Sequence, residues 1–170
     1  MEKLNWNTFE KKIYIKTTVE KLYDLWASED GITQWFLSHA EYSKKDGSRR
    51  GTNDLIQEGD QYVWRWHNWD GEEHGQVLEV NGKDFLSFTF AGGKLDVNLQ
   101  EKDDVVIVAL KQYDIPQDEE NKLKTYCGCS NGWTFWLTNL KAYLEHNILL
   151  NETEVDLTNN ELAGWVFVNM

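Results

Sequence analysis

Between Ala40 and Gln112 the apolar residues recur at about every second position, and this stretch decides the architecture. Side chains of an extended strand alternate between two faces, so such a pattern buries one face of a sheet and wets the other. The alternation predicts strands at Ala40–Lys44, Gln61–Trp69, Gly75–Val80, Phe85–Ala91, Lys94–Glu101 and Asp104–Gln112. Turn signals fall between them at Asp70-Gly71, Asn81-Gly82, Gly92-Gly93 and Lys102-Asp103-Asp104. Loops this short join neighbours, so an antiparallel meander is expected. Residues 45–60 are polar, contain Gly47, Gly51 and Gly59, and read mainly as a loop, with room for a short strand.

The flanks carry other periods. Phe9–Lys16 puts Phe9, Ile13 and Ile15 on one face and reads as a further strand. Thr17-Thr18-Val19-Glu20 has the form of a capping box, in which a threonine oxygen takes an orphan amide while the glutamate reaches back. Val19, Leu22, Tyr23 and Trp26 follow at helical spacing, giving a short amphipathic helix over residues 18–27. Ser28 is placed to cap a second short helix running through Trp35-Phe36. At the other end Trp133, Trp136, Leu137, Leu140, Tyr143 and Leu144 form one stripe. With Ser130 or Asn131 as cap, it predicts the longest helix of the chain over residues 131–147. Leu162 to Val168 reads as a further strand or as an extended segment packed on the surface. The order defines an α+β fold: a curved antiparallel sheet wrapped around a long C-terminal helix, with two short helices after the first strand. Such a sheet can leave a cavity between itself and the helix.

Composition narrows the function. The 170 residues suit one domain spanning 1–170, on a prior of ~150 residues per domain. A net charge of −12 argues against nucleic acid or anionic lipid as the main partner, since both require a concentrated basic surface. The longest aliphatic run, Val105 to Leu110, is far short of the ~20 residues of a membrane span. No export signal is visible at Met1-Glu2-Lys3-Leu4-Asn5-Trp6, and two cysteines do not make a disulfide scaffold, so a cytoplasmic location is expected. Nine Trp, seven Tyr and seven Phe stand against a mean hydropathy of −0.63, which calls for a ring-rich interior inside a charged exterior and excludes disorder.

Four segments resemble the Hsp90-ATPase-activator-like family of the START/Bet v 1-like (SRPBCC) helix-grip superfamily. They are Thr17-Thr18-Val19-Glu20-Lys21-Leu22-Tyr23, Gln34-Trp35-Phe36, Gly75-Gln76-Val77-Leu78-Glu79-Val80 and Gly132-Trp133. The resemblance covers about residues 9–146 and leaves 148–170 as a C-terminal extension. The chain departs from the family where a basic residue and paired glycines usually follow the Trp-Phe motif; here a polar segment ends in a lone Gly59 before Asp60. What the resemblance implies is a helix-grip fold, often with a hydrophobic cavity, in carriers, cyclases and co-chaperone domains alike. In the eukaryotic activators a separate domain precedes this one, and nothing before Phe9 here corresponds to it.

The expected function is therefore binding of an apolar small molecule, lipid-like or polyketide-like, in a cavity between sheet and helix. Rings offer large contact area at little cost in rotamer freedom. The expected lining is Trp35, Trp64, Trp66, Glu79, Phe88, Phe90, Trp133, Trp136, Leu137 and Leu140, with Glu79 as a buried polar anchor or a solvent-facing carboxylate. A protein-interaction module of the Hsp90-activator type, with an Hsp90-type chaperone as partner, is the first alternative; a cyclase-like enzyme is the second. No catalytic motif is identifiable. Arg65 and His67 alternate with Trp64 and Trp66 and are expected to face water, as is His74, while Tyr126 is a further polar candidate. Cys127-Gly128-Cys129 lacks a second knuckle, so no metal or cofactor is expected, and the pair, in the loop before the last helix, reads as ordinary thiols or, alternatively, as a strained redox-sensitive disulfide. The acidic runs Glu29-Asp30, Asp70-Gly71-Glu72-Glu73 and Asp118-Glu119-Glu120 read as loop charges that keep the chain soluble. A monomer or a homodimer is expected.

Overall fold

The computed structural model describes residues 5–157. In chain order the elements are β1 (Phe9–Ile15), α1 (Val19–Ala27), α2 (Glu29–Ile32), β2 (His39–Ser43), β3 (Gln61–Arg65) and β4 (Glu72–Val80). They continue with β5 (Phe85–Phe90), β6 (Gly93–Lys102), β7 (Val105–Tyr113), α3 (Glu119–Asn121) and α4 (Gly128–His146). A wider π-helical stretch, Lys122–Cys127, joins α3 to α4.

The strands make one antiparallel sheet in the order β1-β7-β6-β5-β4-β3-β2. From β2 to β7 each strand lies beside its sequence neighbour, as the short turns require. Strand β1 pairs instead with β7, Phe9 opposite Gln112 and Ile15 opposite Val106. The chain must then cross from one edge of the sheet to the other, and α1 and α2 make that crossing. Thr18 caps α1 by accepting the Lys21 amide at 3.2 Å, and Ser28 caps α2 by accepting the Gly31 amide at 3.0 Å. Helix α2 stops at Ile32, so Trp35 and Phe36 sit in the turn that follows rather than in the helix.

One face of the sheet is buried. Tyr62, Trp64, Val77, Phe88, Leu95, Val97, Val108 and Leu110 all lie inside it. Strand β3 ends at Arg65, short of the expected Trp69, and Asn68 in the left-handed region (φ 56°) turns the chain away from the sheet. Strand β4 starts earlier than expected, at Glu72, and its pairing with β5 shifts between Val77 and Glu79. Residues 45–60 form a loop, joined to the sheet by the isolated bridge Ser43–Arg49 and by backbone hydrogen bonds from Arg50 to Tyr42 and between Gly59-Asp60 and Val77. It is held by a buried ion pair between Arg50 and Asp60, whose carboxylate also accepts the Gln57 amide at 2.8 Å.

The closing helix begins earlier than its apolar stripe. Asp118 caps α3 by accepting the Asn121 amide at 3.0 Å, and the chain stays helical through Cys127, Gly128 and Cys129. Ser130 and Asn131 therefore lie inside α4 and do not cap it. Near its other end α4 is tied to β1: Lys141 donates to the Tyr14 carbonyl at 2.8 Å, and Glu145 accepts the Lys16 amide at 2.8 Å. Buried Asn139 donates to the Trp35 carbonyl at 2.6 Å and to Asn151 at 3.0 Å, and accepts the Leu150 amide at 2.6 Å. One side chain thus fastens the segment after the helix to the turn after α2. The expected strand at Leu162–Val168 lies outside the described residues.

Candidate functional site

Sheet and α4 face each other across a layer of aromatic rings. Trp26 meets Trp35 edge-on at 4.9 Å, Trp35 stacks on Phe36 at 5.2 Å, and Phe36 stacks on Trp133 at 5.1 Å. From the sheet side Tyr62 stacks on Trp64 at 4.2 Å, Trp64 leans on Phe88 at 5.4 Å, and Phe90 reaches Trp133 at 5.4 Å. Three of the indole N–H groups are used internally, while that of Trp26 is buried without a partner among the described residues. Trp35 Nε1 donates to the Leu25 carbonyl at 3.2 Å, Trp64 Nε1 to Tyr42 Oη at 3.1 Å, and Trp133 Nε1 to Gln112 Oε1 at 3.2 Å. These rings fill much of the space between sheet and helix where such a fold can leave a cavity. Trp35, Trp64, Phe88, Leu137 and Leu140 are buried among them.

Open space lies beside the N-terminal half of α4, in a recess of about 100 Å³ bounded by Phe36, Trp66, Phe90, Cys129, Gly132, Trp133 and Trp136. Trp66, Phe90, Trp133 and Trp136 of the expected lining meet here. Phe36, Cys129 and Gly132 were missed, because the sequence alone set Phe36 on a helix and Cys129 in a loop. Trp66 is half-buried and touches Phe36 on one side (5.4 Å) and the exposed Trp69 on the other (5.2 Å). Gly132 matters for what it lacks: a Cβ built there meets no atom within 4 Å. The surface also has larger and more polar clefts. One of about 410 Å³ runs past Lys21, Asp24, Asp30 and Asn53, and one of about 510 Å³ past Lys83, Asp84 and Gln100; neither is bounded by an expected site residue.

Of the two placements open to Glu79, the structure shows the solvent-facing one, and a different carboxylate lies near the recess. Glu79 is exposed, because the shift after Val77 puts it opposite Ser87 on the outer face. Glu73, taken from sequence as a loop charge, instead lies opposite Trp64 on the inner face. Its carboxylate accepts the Ala91 amide at 2.7 Å, one residue beyond the recess-lining Phe90. Burial raises its pKa above the usual glutamate value, against the lowering effect of the Ala91 amide. On the opposite, solvent side Glu72 pairs with Arg65 at 2.8 Å and shares a hydrogen bond with His74 at 2.7 Å. His67 is half-buried, and burial lowers its pKa, favouring the neutral ring.

Cys127 and Cys129 are free thiols. Burial raises the pKa of Cys129, the Gln112 side chain beside it counters part of that rise, and the charge of Glu73 adds to it. Such a thiol stays protonated and unreactive at neutral pH. Gln112 is fully buried, and its Nε2 has no hydrogen bond of normal geometry among the described residues. Tyr126 packs edge-on against Trp6 and Phe9, away from the recess lining.

A seven-stranded antiparallel sheet closed by a long helix, with a ring-lined recess between them, defines a helix-grip protein. The sequence agrees: residues 16–145 match the family described as Activator of Hsp90 ATPase homolog 1-like protein. The chain belongs to that family. Comparison with curated protein sequences gives no match. Among solved structures it is similar to protein SSP2350 of Staphylococcus saprophyticus, at 18% identity and a TM-score of 0.67, over 86% of this chain and 97% of that one. It is also similar to Aha1 of Colwellia psychrerythraea, solved as a dimer (17%, 0.64, 82% of this chain and 96% of that one). A third is DynU16, of the dynemicin biosynthetic locus (14%, 0.64, 83% of this chain and 48% of that one). At these identities the likeness is one of fold. Among the described residues no helix is long and apolar enough to cross a membrane.

Proposed function

We infer that the chain binds a compact small molecule with an apolar surface in the recess under Trp66. The observation that carries this reading is the lining itself: five aromatic rings bound a space that no side chain occupies. Apolar surface left open to water is unfavourable by about 25 cal/mol per Å², so a ligand that covers it gains that energy. A volume of about 100 Å³ encloses a small head group but not the whole of a long acyl chain or a fused-ring polyketide. That narrows the lipid-like and polyketide-like ligands suggested by the superfamily. It also weighs against the cyclase reading. Under this reading Cys127 and Cys129 remain reduced thiols in a cytoplasmic setting.

Gly132→Leu tests the reading. The open space at Gly132 lets the new side chain enter the recess without a backbone clash, and replacing a mid-helix glycine favours the helix by up to about 1 kcal/mol. Small lipids and aromatic metabolites, screened by tryptophan fluorescence and native mass spectrometry, should bind the wild type and not the variant, whose unfolding midpoint stays level or rises. A ligand held equally by both proteins would refute the assignment.

The family match supports a second reading, a protein-interaction module that docks on an Hsp90-type chaperone. A chain of net charge −12 would meet a basic surface through screened attractions, so capture by an Hsp90 homologue should weaken steeply with salt. Capture that Gly132→Leu leaves intact would separate this role from small-molecule binding.

A further inference from the structure

We propose that the recess takes the head of a small alkylated ammonium, held among its rings and attracted by the nearby carboxylate of Glu73. The assignment rests on the reading of the recess as a ligand site and names the chemical class of that ligand.

The lining is the first argument. A purely hydrocarbon ligand is served equally well by leucines and valines, yet Phe36, Trp66, Phe90, Trp133 and Trp136 leave only Gly132 and Cys129 as non-aromatic walls. The face of an aromatic ring carries negative potential, strongest for tryptophan, and attracts a cation most where water is excluded. Three of the five rings are tryptophan. A methylated ammonium presents an outer surface of carbon and hydrogen, so it meets the packing requirement of the recess while carrying a charge. The volume of about 100 Å³ suits a trimethylammonium-sized group.

Charge is the second argument. Glu73 stands on the inner face of β4, across from Trp64, with its carboxylate beside the end of β5. Its carboxylate accepts the amide of Ala91, the residue after the recess-lining Phe90. It forms no ion pair with a lysine or arginine among the described residues, and no lysine or arginine lines the recess. Lys94 and Lys111 lie with the Tyr113 ring on the outer face. His67, the ionisable neighbour of Trp66 in sequence, is held toward its neutral form by burial. Burial also disfavours the charged form of Glu73, which a cation in the recess would relieve.

Choline and its uncharged carbon isostere dimethylbutanol distinguish charge from shape. Both should be titrated by calorimetry into the wild type, Glu73→Gln and Gly132→Leu. Glu73→Gln keeps an oxygen acceptor for the Ala91 amide, so the fold is retained. The wild type should prefer choline by about tenfold or more. Glu73→Gln should lose most of that preference through weaker choline binding alone, and Gly132→Leu should bind neither probe. Equal affinities for the two probes would overturn the ammonium assignment, as would a preference that survives intact in Glu73→Gln. In either case, isostere binding that Gly132→Leu abolishes would leave the recess standing as an apolar site. Failure of both probes on the wild type would overturn the ammonium class, and silence of the wider panel as well would bring down the recess.

Discussion

Glu73 and Glu79 lie on the same strand, and one register shift decides which of them meets the interior. In a regular strand, residues of equal parity share a face, so both would point the same way. The irregularity between Val77 and Glu79 inverts the parity beyond it, leaving Glu73 opposite Trp64 and Glu79 opposite Ser87. A bulge of this kind has no reliable mark in sequence, which is why Glu79 attracted attention and Glu73 passed for a turn residue. The inward placement has a measurable consequence. Because burial raises the pKa of Glu73 in the folded state, folding takes up a proton in the window between the ordinary and the raised value. Stability attributable to this group then falls as pH rises through that window. Glu73→Gln carries no such charge. Its unfolding midpoint should exceed that of the wild type at neutral pH, and the gap should close as the solution is acidified into the ordinary carboxylate range. Denaturation curves across pH check this, and a gap that widens on acidification would refute it. The same substitution is expected to weaken ammonium binding, so stability and function pull Glu73 in opposite directions.

Most elements were legible from periodicity, because one wet face and one dry face impose a period that short loops cannot hide. The meander, β1, α1 and the stripe of α4 all appear where Phe9, Leu22, Trp64, Phe88 and Trp133 put them. One miss at this scale is the start of the closing helix. Its first turns carry no apolar stripe, since Glu119, Glu120 and Leu123 are exposed, and so periodicity is silent there. The legible signal was chemical: Asp118 followed by two acids is an N-cap with carboxylates in the first turn, where the helix dipole favours them. Asp118→Ala should therefore lower stability by about 1 kcal/mol. Asn131→Ala, at the position the stripe alone would have chosen as cap, should stay within about 0.5 kcal/mol of wild type. Chemical denaturation of the two variants decides where the helix begins. The early start also explains the recess, since only a helix already running through Cys129 can set that side chain beside Gly132 and Trp133.

At the scale of the whole molecule, charge and interior act together. A chain this rich in rings remains polar on average because its charges crowd the surface, and the balance is acidic, with a pI near 4.7. That field is negative overall, so it attracts cations toward a recess whose own walls carry no basic side chain. Exposed charges act only within the Debye length, about 10 Å at 0.1 M salt, so the surface contribution should be lost as salt is added. Attraction to the rings and to half-buried Glu73 is short-ranged and should persist. Choline affinity should thus fall with added sodium chloride to a plateau that still exceeds that of the uncharged isostere, whose own affinity stays level or rises slightly. In Glu73→Gln the low-salt rise should remain while the plateau drops, because surface charge and recess contribute separately. A wild-type affinity that declines with salt all the way to that of the isostere would mean that the acidic surface alone recruits the cation, and that rings and carboxylate add nothing to it.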